Sequence, residues 1–210
     1  MQIDLLDWPP EGPRPGLEAA VDFVNTTGLT RGRPFEDFPT AEAVVDWLAA
    51  NGYFPSEVAD SEHGRFEEAP ELDAAALRRV RALRAGLREL IDAQAEGRAP
   101  QPRAVKAVND ALAARESAQL VPAGSRMRLA YRREGPPLEQ ALAAIARSIA
   151  DELSEGRPER FRICENDTCR WAFYDRSRPG TRRWCEMSSC GNRMKAARHR
   201  ARLRGTPPAS

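Results

Sequence analysis

The four cysteines of this 210-residue chain all fall between Cys164 and Cys190, in the pattern C-x4-C, fifteen residues, C-x4-C. Two closely spaced thiol pairs on two turns supply the four donors of a tetrahedral site, with metal–sulfur bonds of about 2.3 Å. Cys164, Cys169, Cys185 and Cys190 are therefore read as the ligands of one zinc ion. With every position filled by a thiolate no place is left for a reactive water, so the metal is expected to be structural. Two disulfides would need an oxidising compartment, and the spacing is not that of a ferredoxin cluster. Nothing else in the sequence suggests catalysis. The histidines, His63 and His199, have no partner at motif spacing, no glycine-rich phosphate loop is present, and the carboxylates Asp60, Glu62, Glu67 and Glu68 lie in an irregular acidic stretch. The chain is read as a non-enzyme.

The net charge of +1 conceals a division. Residues 1–156 carry 18 Lys and Arg against 26 Asp and Glu, whereas residues 157–210 carry 14 against 5. Much of the positive charge sits in CGNRMKAARHRARLRG, which starts at the last cysteine and continues with good helix formers. As a helix it would turn Met194, Ala197 and Ala201 toward the rest of the module. Lys195, Arg198 and Arg202 would flank that stripe on one edge, and Arg193, Arg200 and Arg204 on the other. Two parallel basic edges on a helix anchored at a metal suit nucleic-acid phosphates, and DNA is the expected partner. The competing readings are a solvated face, a helix docked on the acidic part of its own chain, or a module docking on protein or RNA.

The elements that must position these residues follow from periodicity. RWAFYDRSRPGTRRW, between the cysteine pairs, reads as strand, loop with a Pro179-Gly180 turn, and second strand. That gives a treble-clef or ribbon-like hairpin followed by the helix. So small a module builds little core alone, and metal binding would supply about 10 kcal/mol or more of its folding free energy.

Upstream the chain reads as mainly α. Leu17, Ala20, Val21 and Val24 define a first helix stopping at Gly28, and GLTRGRPFEDFP reads as loop. Thr40 caps a second helix that buries Val44, Trp47 and Leu48 and ends at Gly52. A third runs from Asp73 to Gly97 with Leu77, Val80, Leu83, Leu87, Leu90 and Ile91 on one stripe. A fourth covers Arg103 to Arg115, burying Ala104, Val105, Val108 and Leu112. A last helix carries Leu138, Leu142, Ile145, Ile149 and Leu153 and breaks at Gly156-Arg157-Pro158. AQLVPAGSRMRLAYRRE is one small β-hairpin. A multihelical domain over residues 1–156 and a zinc finger over 157–210 are expected. The first residues lack a signal peptide's pattern and no segment is apolar enough for a membrane span, which points to the cytoplasm.

On the first helix Asp22 and Asn25 lie three apart, close to Arg31. They outline a possible ligand pocket; alternatively Asn25, Thr26 and Thr27 only terminate the helix and Asp22 pairs with an arginine. If the finger binds DNA, this domain is where a signal would enter, through a small-molecule effector or through homodimerisation.

Cys190-Gly191-Asn192-Arg193, preceded by Trp184-Cys185 and the first C-x4-C pair, resembles the CGNR zinc finger. In that family the finger lies behind a helical domain called ABATE that opens with an LDFVNT-like stretch, which AVDFVNTTG resembles over Asp22 to Thr26. TAEAVVDWLAANG is similar to its second helix, with Glu42, Trp47 and Leu48 in place. The resemblance spans nearly the whole chain. It implies a bacterial, cytoplasmic, stress-induced transcription regulator with zinc on the four cysteines and DNA as partner.

Overall fold

The computed structural model describes residues 16–53, 72–113, 116–124, 126–133 and 135–204. Among these residues six α-helices and three two-stranded antiparallel sheets follow one another: α1 Leu17–Val24, β1 Thr27–Thr30, β2 Arg33–Glu36, α2 Ala41–Ala50, α3 Ala74–Glu96, α4 Pro102–Leu112, β3 Glu116–Ala123, β4 Arg126–Arg133, α5 Pro137–Ser154, β5 Phe161–Ile163, β6 Ala172–Tyr174 and α6 Asn192–Leu203. Among the described residues no helix is long and apolar enough to cross a membrane.

The helix signals act locally as read. The Thr40 hydroxyl accepts from the Ala43 amide at 3.4 Å and the Asp73 carboxylate from the Ala76 amide at 2.6 Å, each satisfying one free N–H of a first turn. Gly97 ends α3 in the left-handed conformation, φ 65°. The first helix stops earlier than expected, at Val24, and the segment read as loop is the β1–β2 hairpin. Its turn is Arg31-Gly32, with φ of 54° and 78°. Both central residues of such a two-residue turn need positive φ, and an arginine in the first place hides the signal that Asn-Gly would have given.

Leu17, Phe23 and Val24 of α1 pack with Val44 and Leu48 of α2, Leu87 and Ile91 of α3, and Ile145 and Ile149 of α5, all at most 1% exposed. Each such side chain contributes about 1.5–3 kcal/mol on burial. Gly86 lets α4 come close to α3, since a Cβ there would stand 3.0 Å from the Ala104 carbonyl oxygen. Val105, expected inside, is exposed. Phe161 of β5 and Ala172 of β6 belong to the same buried cluster as the helices, so one core runs through both parts of the chain.

The finger's hairpin is displaced from its expected place. β5 precedes Cys164 and pairs with β6, so the first cysteine pair lies in the connection between the strands. The expected second strand, leading to Trp184, is irregular. The cause is Asp175, fully buried, which accepts from the Ser177 amide at 2.9 Å and the Arg182 amide at 2.8 Å and so ties residues 175–182 into a closed loop. Arg162 fastens its tip by donating to the Gly180 carbonyl at 2.7 Å.

Candidate metal centre

The four cysteine sulfurs lie within 4.8 Å of one another. Cys185 Sγ is 3.7 Å from Cys169 Sγ and 3.8 Å from Cys190 Sγ. A tetrahedron with metal–sulfur bonds of about 2.3 Å has sulfur–sulfur edges of about 3.8 Å, so the set fits zinc. Four such acids this close cannot all ionise without a cation among them. Accordingly the Cys164 thiol is held below its ordinary value, first by its hydrogen bond with Cys185, while the Cys185 thiol is pushed up by the same bond and by burial. Burial also raises Cys169. The cysteines hold one structural zinc ion.

Neighbouring donors orient the sulfurs. Asn166 Nδ2 and Arg193 Nη2 each donate to Cys190 Sγ at 3.4 Å. Asn166 Oδ1 in turn accepts from the Thr168 amide and hydroxyl at 3.1 and 2.9 Å. The Glu165 amide donates to the Arg183 carbonyl at 3.0 Å, joining the two cysteine-bearing turns. Phe173, Trp171 and Trp184 cover the thiols. Of the arginines near the site, Arg193 touches a sulfur, Arg182 donates to the Cys185 carbonyl, Arg183 pairs with Glu165, and Arg176 pairs with Glu18 of α1.

α6 starts two residues after Cys190, contains no buried residue and packs against the turn that launches it. Its inward stripe is Met194, Arg198 and Ala201, while Ala197 faces solvent. Arg198 displaces Ala197 from the expected stripe because its guanidinium lies over the Trp184 ring, 5.9 Å from the centroid. The six basic residues therefore divide. Arg193, though exposed, donates to Cys190 Sγ, and half-buried Arg198 lies over Trp184; Lys195, Arg200, Arg202 and Arg204 are exposed and form no ion pair among the described residues.

The finger docks on the helices through β5, β6 and the cysteine-bearing turn rather than through α6. Asn25, 6% exposed, donates from Nδ2 to the Ala172 carbonyl and accepts from the Ala172 amide at Oδ1, both at 2.9 Å. Thr26 does terminate α1, its hydroxyl donating to the Phe23 carbonyl at 2.8 Å. The Gly32 amide donates to the Thr168 carbonyl at 2.9 Å and Arg88 to the Arg170 carbonyl at 2.8 Å. Tyr174 donates to Glu152, which is buried on α5. Behind Thr26, buried Arg84 donates to both oxygens of Glu36 at 2.7 and 2.6 Å and to the Thr26 hydroxyl at 3.1 Å. Sequence reasoning missed this seam, although Arg84 stands four residues after Val80 on the apolar stripe of α3.

Asp22, Asn25 and Arg31 come together on one wall of an open cleft of about 560 Å³ whose other wall is the finger, including Trp171, Phe173 and Arg193. Burial first, then the charge of Glu18, pushes the Asp22 carboxyl up. Asp22 forms no ion pair among the described residues.

Residues 17–156 match the family model ABATE, described as "Putative stress-induced transcription regulator", and residues 160–203 match the CGNR zinc finger. No curated protein matches the chain. The first match alone takes in two thirds of the sequence and the second takes in every zinc ligand, so this chain belongs to the ABATE family and carries a CGNR zinc finger behind its helices.

Proposed function

We propose that the protein is a zinc-dependent, DNA-binding transcription regulator of the bacterial cytoplasm, active in a stress response, with α6 as its DNA-contacting element. The observation that carries this reading is a projecting helix, rigid at its metal end, whose Lys195, Arg200, Arg202 and Arg204 have no ion-pair partner among the described residues. Twelve helical residues extend about 18 Å, and a B-DNA major groove about 12 Å wide accepts one helix. The four cations supply the phosphate contacts that dominate affinity. Arg193 and Arg198 serve by holding the helix in place rather than by reaching the duplex.

The test is binding of the zinc-loaded protein to a random duplex pool at a series of salt concentrations, beside a variant with Lys195, Arg200, Arg202 and Arg204 changed to Gln. Each phosphate contact adds about 0.9 to the log–log salt slope, so the variant should lose a slope of about 3 to 4. Folded, zinc-loaded protein that ignores DNA at every salt would transfer the helix to a protein or RNA partner.

A second partner is supported by the cleft. Because Asp22, Asn25 and Arg31 line one cavity against the finger, a small-molecule effector bound there would touch both parts of the chain.

A further inference from the structure

We infer that the cleft between the helices and the finger binds a small amphipathic carboxylate, an acid group on an aromatic or apolar body. The inference rests on the effector reading of that cleft and adds the class of molecule. The cavity's volume of about 560 Å³ lies within the range of small-molecule sites, roughly 300–1,000 Å³. Val21, Leu29, Trp171 and Phe173 give it an apolar wall that would take the body of such a ligand.

The charges select the head group. Four guanidinium groups reach the cleft, and three are already engaged: Arg176 with Glu18, Arg182 with the Cys185 carbonyl, and Arg193 with Cys190 Sγ. Arg31 is the fourth, and it forms no ion pair among the described residues. Its backbone sits at φ 54°, where Asn or Gly is the easier residue, in a turn fixed to the finger by the Gly32 amide. A long cation is thus placed on a turn of positive φ that lines the cleft beside its apolar wall. A planar guanidinium matches a carboxylate with two parallel hydrogen bonds. On the acidic side, Glu18 is taken by Arg176, while Asp22 and Glu186 form no ion pair among the described residues and are the groups a cationic ligand would meet instead.

The experiment titrates full-length, zinc-loaded protein with benzoate, benzamide and benzylamine by calorimetry, and follows the Arg31 Nε–H resonance to locate binding. Benzoate should bind saturably, shift that resonance, and exceed both analogues by about tenfold. Arg31→Asn, which suits the left-handed turn, should abolish the preference while leaving the melting temperature unchanged. If benzamide matches benzoate, the carboxylate class is overturned; if R31N leaves benzoate binding intact, Arg31 as the carboxylate's partner is overturned; the effector reading survives either result. Preference for benzylamine overturns it in favour of a cation at Asp22. Absence of saturable binding by all three up to about 10 mM overturns the inference and the effector reading together.

Discussion

Asn25 shows what one side chain can do at a seam. Its amide matches the N–H and C=O of Ala172 across 147 positions of sequence. Ala172 is 1% exposed, so Asn25→Ala would leave two backbone groups buried without partners. At about 1–3 kcal/mol for each, the variant should lose about 2–6 kcal/mol in urea unfolding. Glu36 gives a pH-dependent counterpart. Burial pushes its carboxyl up, but the hydrogen bonds from Arg84 and the Phe38 amide outweigh burial and hold it below the ordinary value. A carboxyl depressed on folding contributes stability above its unfolded value, about 4.3, and that contribution is lost as pH falls through the folded value. Wild type should therefore exceed Glu36→Gln in stability at neutral pH, with the two denaturation curves converging in acid. The cysteines were legible in the sequence because metal-ligand spacing is a local property. Asn25 and Arg84 were not legible in their roles, because the groups they satisfy are 147 and 58 residues away.

At the level of elements, helices announced themselves through caps and apolar stripes, while both short hairpins were misread. β1–β2 turns on Arg31 where the expected residue is Asn, and the finger's hairpin is fixed by buried Asp175, whose hydrogen bonds no periodicity records. The stripe of α6 was misassigned for a related reason: apolarity favoured Ala197, but a guanidinium covers an aromatic face better than a methyl group. Two arginines on that helix should consequently behave differently. Arg198→Ala removes one of the two guanidinium groups over Trp184, leaving that of Arg183, and should lower the melting temperature and speed zinc transfer to a chelator. Arg202→Ala should leave both unchanged and weaken duplex binding alone, which parallel melting, chelator-competition and DNA titrations would separate.

For the molecule as a whole, the decisive fact is that Phe161 and Ala172 are counted in the same core as the helices. Zinc on four thiolates contributes about 10 kcal/mol or more in small modules, and here that energy also holds two core residues in place. Chelation should lower the melting temperature of the entire chain as one transition in calorimetry; two separable transitions would contradict the shared core. The same seam bears on how the protein avoids meeting itself. Among the described residues β6 has β5 on one side and, on the other, no strand but the side-chain amide of Asn25 at the end of α1. An uncovered strand is a template for another chain's backbone. Asn25 therefore closes that edge from inside the core, and the backbone of Ala172 stays out of reach of another chain for as long as α1 remains packed on β6.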